Sequence, residues 1–575
     1  MAGQTVSLVI AGSGGAGVVT AGSLLLEAAA RAGWHAYMTR SSGPQIRGGE
    51  AAAMIRLGVE PVASHDDTYH LLAAIDWENI DRFAAEIPLG PDSVILGDPE
   101  AGATPARIAA KGAREAAIPL QALAKEIPAG RPNMVALGAI AAMIGLPEAC
   151  MAQVLREQLK RKGEEAIEAS LAAFRIGMQA ADGLPPVPRL EPREVPLRER
   201  WSITGNEAAG MGALRGGVRF VAAYPITPAT EVLEWLAPML PKVGGVLVQA
   251  EDELASINQI IGASYGGIPS LTATSGPGLA LMTESIGLAV AAEVPIVIVN
   301  VMRGGPSTGI PTKSEQADLN IAIYGLHGDA PHLVLAPTSV EDCLFTTQWA
   351  VYLAETLQTA AIVLSDQAMG QARAVIQRSA AISFIGQRER PVSLEAGQQY
   401  QRYAITASGV SPMAVPGMAG YAYTADGLTH AESGMPSSQA AHHAEQLDKR
   451  LRKLTGFDYG EHWAEISGDD DADTAIVTWG SCSGPVREAL RRWQDAGGKA
   501  RVVAMRLLSP AQPEQLALAL AGVRRVLVVE QTHSGQFHRY LRAQYDLPGE
   551  VRALHHPGPL PVRPGEVFEQ LANWS

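Results

Sequence analysis

The chain has 575 residues, of which 47% are hydrophobic, 18% charged and 5% aromatic. That globular composition excludes disorder as the dominant state, and at ~150 residues per domain it leaves room for three or four domains. The formal net charge of −14 makes a nucleic-acid backbone a poor partner.

Residues 6–10 form an apolar run with no basic region ahead of it, which reads as a first strand rather than a signal peptide. The glycine turn Gly12-Ser13-Gly14-Gly15-Ala16-Gly17 follows, and residues 18–32 have helical periodicity. Further strands are expected at 52–57, 70–75 and 93–96, giving one α/β domain over residues 1–183. The proline- and charge-rich run at 184–200 cannot continue a helix or a central strand and reads as a linker.

A second α/β domain is expected over 201–380, with strand-like runs at 218–222, 245–248, 269–273, 295–301 and 360–364 and helical patterns between them. That alternation argues for a parallel sheet covered on both faces. Residues 381–470 lose the pattern and read as an irregular connection. A third α/β domain over 471–575 opens with a strand at 474–479 and continues with 501–505 and 526–530. The most apolar stretch, 286–302, is broken by Glu293 and Pro295 and falls short of the ~20 residues of a spanning helix. A soluble, cytoplasmic protein without a membrane partner is expected.

Glycines between a strand and a helix let a backbone approach phosphate. A NAD site also wants an acid at the end of the second strand, and here Thr39 and Arg40 stand in that place. Arg40 suits a phosphorylated ligand such as NADP or coenzyme A; the alternative is a tight turn with structural glycines. Arg47-Gly48-Gly49-Glu50 is a second unusual loop.

The stronger signals follow the strands of the second domain. In Tyr224-Pro225-Ile226-Thr227-Pro228, two prolines fix the loop and Thr227 presents a hydroxyl where ligands collect in open α/β sheets. Gln249-Ala250-Glu251-Asp252-Glu253 would suit the positive end of a helix. Gly262 lies nine residues beyond Glu253, and a strand and Thr274-Ser275-Gly276-Pro277-Gly278 come next. This E-x8-G, strand, S-G-P-G order resembles the pyrimidine-binding domain of thiamine diphosphate enzymes. The resemblance implies that Glu253 hydrogen-bonds the aminopyrimidine ring nitrogen and shares a proton with it; Glu251 competes, and the spacing favours Glu253. Tyr224, Pro225, Ile226, Ser275, Gly276 and Pro277 then line the cofactor.

Met302-Arg303-Gly304-Gly305-Pro306-Ser307-Thr308-Gly309 and Pro311-Thr312-Lys313-Ser314-Glu315-Gln316-Ala317-Asp318-Leu319 complete the pattern. With Y-P-I-T-P they closely resemble the α subunit of 2-oxoacid:ferredoxin oxidoreductases, of the type with a fused γ domain. Residues 1–183 resemble that family's Rossmann-like γ domain, and 471–575 its transketolase C-terminal-like domain. The latter includes Glu530-Gln531-Thr532-His533-Ser534-Gly535-Gln536, where the family commonly has Asn in place of His533.

The implied reaction is oxidative decarboxylation of a 2-oxoacid with coenzyme A, giving acyl-CoA, CO₂ and reduced ferredoxin. The resemblance gives Thr227 a hydrogen bond to substrate and Lys313, or less readily Arg303, an ion pair with its carboxylate; otherwise Lys313 is a solvated loop lysine. The P-T-K-S-E-Q loop and the two-subunit type suggest 2-oxoglutarate. Gly12, Gly14, Gly15 and Arg40 are the candidates for the CoA phosphates.

A complete thiamine diphosphate site also needs G-D-G followed by N-N to hold Mg²⁺, and no G-D-G triplet is present. Cys150, Cys343 and Cys482 lie far apart with no C-x-x-C pair, which argues against a disulfide framework or a cysteine-ligated cluster here. The family implies a β subunit carrying the diphosphate site, Mg²⁺ and a [4Fe–4S] cluster, in an (αβ)₂ heterotetramer. Two other functions remain open at this point: a non-oxidative thiamine diphosphate lyase or synthase subunit, which would release CO₂ without reducing a low-potential acceptor, and a non-catalytic nucleotide-binding assembly subunit, which would gain no activity with any partner.

Overall fold

The structure is a computed structural model that describes residues 4–42, 49–193, 199–310, 312–379, 384–394 and 398–574. Arg47 and Gly48 of the second glycine loop lie outside the described residues. The chain divides into two compact units, one of residues 1–204, 371–380 and 563–566, the other of 205–370, 381–562 and 567–575. Among the described residues no helix is long and apolar enough to cross a membrane.

The first unit is built on an eight-stranded mixed sheet in the order Arg114–Ala117, Val94–Gly97, Leu71–Ala74, Thr5–Ser13, Glu50–Gly58, His35–Ser42, Arg373–Gln377, Arg200–Thr204. The first four strands are parallel and the rest antiparallel to their neighbours. Glu50–Gly58 inserts between the first and second strands of the chain. Arg40 pairs with Ala53, which pairs with Ile10. Arg40 therefore stands two strands, about 10 Å, from the strand that leads into the glycine turn, so the second-strand spacing of a dinucleotide unit does not apply. Separate apolar clusters cover the two faces, Leu25, Leu137, Ile140 and Phe174 on one and Tyr69, Leu72, Phe83 and Ile87 on the other. The strands Arg200–Thr204 and Arg373–Gln377 belong to this sheet, although both lie beyond residue 183 in sequence.

The second unit contains two sheets. The larger runs Leu507–Ser509, Leu333–Leu335, Ala360–Asp366, Ile296–Met302, Ser270–Thr274, Phe220–Ala223, Val246–Gln249, and only Leu507–Ser509 is antiparallel. Its central strands are mainly apolar, and all seven residues of Ile296–Met302 and of Ala360–Asp366 are buried, as a sheet covered on both faces requires. The smaller sheet runs Ala464–Gly468, Arg501–Met505, Thr474–Trp479, Arg525–Glu530, Glu550–His555, with only the first antiparallel. One apolar core joins the sheets, with Val299 and Ile362 from the larger and Val477, Val503 and Val528 from the smaller. The stretch that loses its pattern in sequence contains a 16-residue helix, Ala440–Thr455.

Candidate active site

The strands Phe220–Ala223, Val246–Gln249, Ser270–Thr274 and Ile296–Met302 are mutually parallel, so the segments following them emerge at one edge. The chain runs from Phe220–Ala223 outward to Val246–Gln249, then crosses back to Ser270–Thr274 on the other side. The gap between Phe220–Ala223 and Ser270–Thr274 is thus the point where strand order reverses, and ligands of open α/β sheets bind in the crevice there. Y-P-I-T-P follows one of these strands and S-G-P-G the other.

Glu253 opens the helix Glu253–Tyr265. Asp252 caps that helix, its Oδ1 accepting from the Ala255 amide at 2.7 Å. With Asp252 committed as the cap, Glu253 falls in the first turn and its side chain turns inward, leaving it 7% exposed, whereas Glu251 is exposed. The Glu253 carboxylate forms no hydrogen bond or ion pair with any described residue. It packs against the first turn of Gly276–Ala291, a helix begun by Pro277. A Cβ on residue 278 would fall 2.1 Å from Thr274 Oγ1 and 2.7 Å from Glu253 Cγ. Glycine is therefore required there by the approach of Thr274 and Glu253, and Gly278→Ala is expected to displace both side chains and lower turnover by about tenfold or more, measured as kcat in the assembled enzyme. Ser275 is fully buried with its hydroxyl unpartnered.

Tyr224 is 40% exposed, Pro225 and Ile226 are half-buried, and Thr227 is exposed. Two side chains pin this loop. Arg303 Nη1 donates to Thr227 O at 2.8 Å, and Asn206 Nδ2 donates to Pro228 O at 3.0 Å. Arg303 follows the strand Ile296–Met302, and the Gly304 amide donates to Lys313 O at 2.8 Å. That bond brings Lys313 back to the base of its loop beside Arg303. The edge thus gathers Tyr224, Pro225, Ile226, Thr227, Glu253, Ser275, Gly276, Pro277, Arg303 and Lys313.

Asp318 had no place in the sequence reading beyond its motif. It is 9% exposed and packs against Gly276. Burial pushes its carboxyl up to about 6, against the opposing hydrogen bond from Asn300 Nδ2 at 2.8 Å. Two carboxyl groups therefore flank the S-G-P-G turn, Glu253 at Gly278 and Asp318 at Gly276.

Gly12 lies in the first unit within the strand Thr5–Ser13, and Gly14 and Gly15 lie between that strand and the helix Val18–Arg31. Several amides of this turn are already engaged: Ser13 N–H and Oγ–H donate to Asp76 Oδ2 at 3.0 and 2.8 Å, Gly14 N–H to Gly49 O, and Ala16 N–H to Ser13 O at 3.1 Å. Arg40 is exposed.

A parallel sheet whose strand ends bring Glu253 beside a glycine-lined helix start is an arrangement open to a ligand at the switch point, and the family comparison places the chain among thiamine diphosphate-binding proteins. Residues 211–449 match the family described as pyruvate flavodoxin/ferredoxin oxidoreductase, thiamine diphosphate-binding, and residues 7–180 match pyruvate ferredoxin/flavodoxin oxidoreductase. The chain is 35% identical to 2-oxoglutarate synthase subunit KorA of Methanothermobacter marburgensis, over 65% of this chain and 99% of that one. It is 30% identical to subunit alpha of 2-oxoacid:ferredoxin oxidoreductase 2 of Aeropyrum pernix, over 94% and 93%. A solved structure of 2-oxoglutarate:ferredoxin oxidoreductase from Magnetococcus marinus, with 2-oxoglutarate, coenzyme A and succinyl-CoA bound, matches at a TM-score of 0.91 and 36% identity, covering 99% of both chains. The chain belongs to the α subunits of the 2-oxoacid:ferredoxin oxidoreductases.

Proposed function

We propose that this chain supplies the pyrimidine-binding half of the active site of an enzyme that oxidises 2-oxoglutarate with coenzyme A to succinyl-CoA, CO₂ and reduced ferredoxin. The single observation that carries the assignment is Glu253, 7% exposed and without a hydrogen-bond or ion-pair partner among the described residues. It stands at the strand edge where ligands of open α/β sheets collect, and an aminopyrimidine ring nitrogen is a partner that fits it. The buried Ser275 hydroxyl, unpartnered at the helix start, is a second polar group there that a ligand can answer. Thiamine diphosphate, when bound, supplies the carbon nucleophile that the decarboxylation of a 2-oxoacid needs.

The residues of this chain divide the remaining work. Glu253 holds or releases a proton at the ring nitrogen. Arg303 and Lys313 supply positive charge for substrate carboxylate, and the Thr227 hydroxyl, on a loop fixed by Arg303 and Asn206, donates a hydrogen bond to substrate. We place Mg²⁺, the diphosphate site and the [4Fe–4S] cluster on a β subunit, because the sequence of this chain has no G-D-G triplet and no close pair of cysteines. An (αβ)₂ assembly in the cytoplasm, with ferredoxin as acceptor, follows from the same family. On the first unit, Arg40 and the Gly12–Gly17 turn are the candidates for CoA phosphate, with open space among the described residues where a Cβ on Gly15 would stand.

Charge-assisted hydrogen bonds contribute roughly 1.5–3 kcal/mol each. Lys313→Ala is therefore expected to raise KM for the 2-oxoacid about 10–100-fold with little change in kcat. Arg303→Ala should raise KM and lower kcat together, since it also releases the Thr227 loop. Unchanged kinetics of Lys313→Ala on every 2-oxoacid would remove that role.

The whole assignment is tested by purifying the chain anaerobically with its native partners. Co-purifying thiamine diphosphate, iron and a second subunit, with CoA-dependent viologen reduction on 2-oxoglutarate, is the expected result. A lone chain that binds nicotinamide nucleotide and no thiamine diphosphate would overturn it.

A further inference from the structure

The far end of the loop that carries Arg303 and Lys313 is fastened to the smaller sheet, by residues that the proposed chemistry does not use. Gln316 is fully buried. Its amide donates to Gln531 O at 3.0 Å, and its Oε1 accepts from the Gln531 amide at 2.8 Å. Its Nε2 donates to Trp479 O at 3.0 Å, and Cys482 Sγ donates to Oε1 at 3.4 Å. Trp479 ends the strand Thr474–Trp479, and Gln531 directly follows the adjacent parallel strand Arg525–Glu530. One side chain thus ties the loop to the ends of two neighbouring strands.

A second tie lies beside the first. Gln536 Nε2 donates to Ala317 O at 3.0 Å, and its Oε1 accepts from the Asn320 amide at 3.0 Å. A third joins the Gly558 amide to Glu315 Oε2 at 3.3 Å. The turn that offers Gln531 and Gln536 is itself fixed by Glu530. That buried carboxylate accepts from the amides of Phe537 and His538 and from the Thr532 hydroxyl, each at 2.8 Å. His533, in the same turn, is exposed and takes no part in these bonds.

Lys313 lies three residues before Gln316, and the Gly304 amide links Lys313 to the base of the loop beside Arg303. Arg303 is held by the strand Ile296–Met302 that it follows, and the position of Lys313 is referred to the strand ends of the smaller sheet through Gln316. Buried amides with every polar atom satisfied hold one geometry, because any shift leaves a donor or acceptor unpaired in a low-dielectric interior. Small displacements of substrate-holding groups cost rate steeply.

We infer that Gln316 and Gln536 are positioning residues for the 2-oxoacid, and that the Glu530–Gln536 turn serves to dock the substrate loop. The inference rests on the assignment of Arg303 and Lys313 to substrate carboxylate.

The test uses the enzyme assembled with its partner subunits. Gln316→Leu keeps much of the side-chain volume and removes its three side-chain hydrogen bonds. It is expected to raise KM for the 2-oxoacid about tenfold, with kcat within about threefold and thiamine diphosphate affinity within about twofold of the wild type. Gln536→Ala, at a half-buried position, should raise KM about threefold with the same split, and it decides the matter if Gln316→Leu does not fold. A folded Gln536→Ala enzyme with unchanged KM overturns the inference. So does a joint decline of kcat, KM and cofactor affinity, which marks a general loss of packing. Raised KM in Arg303→Ala or Lys313→Ala beside wild-type KM in the glutamine variants defeats the docking role alone. Unchanged KM in both cation variants defeats the substrate assignment and the docking role with it.

Discussion

Glu253→Gln is expected to lower CoA-dependent oxidation of the 2-oxoacid by about 10²–10⁴-fold, the range over which positioned proton-transfer groups act. The substitution keeps size and shape, so packing against Gly278 survives. It removes only the capacity to take up and release a proton. At a loss of about 10³-fold the transition state is destabilised by roughly 4 kcal/mol. Glu251→Gln, two residues away and exposed, should stay within about twofold of wild type. Stability distinguishes a functional carboxylate from a structural one. Glu253 makes no ion pair or hydrogen bond with the described residues, so neutralising it in the cofactor-free protein leaves no partner stranded. The thermal transition of cofactor-free Glu253→Gln should be unchanged while activity collapses. More than half the wild-type activity, or a marked loss of stability, would refute the assignment.

Much of this site is legible in the sequence because each motif directly follows an apolar strand. The expected strands at 218–222, 245–248, 269–273 and 295–301 correspond to Phe220–Ala223, Val246–Gln249, Ser270–Thr274 and Ile296–Met302. Once those strands are parallel, their following loops must share an edge. What the sequence conceals is pairing between distant segments. Arg373–Gln377 and Arg200–Thr204 close the first sheet, and Leu507–Ser509 joins the larger sheet of the second unit. Short strands carry no mark of which partner they will find. The clamp by Gln316 is hidden for a related reason: a glutamine in a polar loop looks solvated until the strand ends that satisfy it are brought alongside.

The helix Ala440–Thr455 is concealed by its inward face. Hydrophobic periodicity finds a helix by apolar residues at i, i+3, i+4 and i+7. Here the buried positions are Gln446, Lys449, Arg450, Lys453 and Leu454. Four of the five are polar or charged, so the repeat is present with the wrong chemistry. The reason lies opposite, in Glu293, the acid that interrupts the most apolar stretch of the chain.

Loss of that acid should be the most destabilising single change outside the active site. Glu293 is fully buried. Its Oε1 accepts from Lys449 Nζ at 2.8 Å, its Oε2 from Lys453 Nζ at 3.1 Å, and its backbone carbonyl from Arg402 Nη2 at 2.7 Å. Ser411 Oγ and Gln358 O each accept a further bond, at 2.8 Å, from Lys449 and Lys453 respectively. One carboxylate thus serves two buried lysines and stands beside a buried arginine. Burial pushes the Glu293 carboxyl up, but Lys453, Lys449 and Arg402 together hold it far below the usual range. Burial likewise lowers Lys453, to about 8, although Glu293 opposes the shift. Glu293→Gln strands positive charge in the interior, a change that costs about 3–5 kcal/mol and should lower the thermal transition of the second unit by roughly 5 °C. Lys453→Met should cost less, about 1–3 kcal/mol, because Lys449 still answers the Glu293 charge at Oε1, while Glu293 Oε2 and the Gln358 carbonyl lose a donor. The sign of the pH dependence follows from the depressed carboxyl. Its contribution is fully present above the ordinary value of 4.5 and is lost as pH falls below that toward the folded value. Wild-type stability should therefore fall on acidification below pH 4.5 more steeply than that of Glu293→Gln. Equal acid limbs for the two proteins, or a Lys453→Met variant less stable than Glu293→Gln, would show that this cluster does not hold the Ala440–Thr455 helix in place.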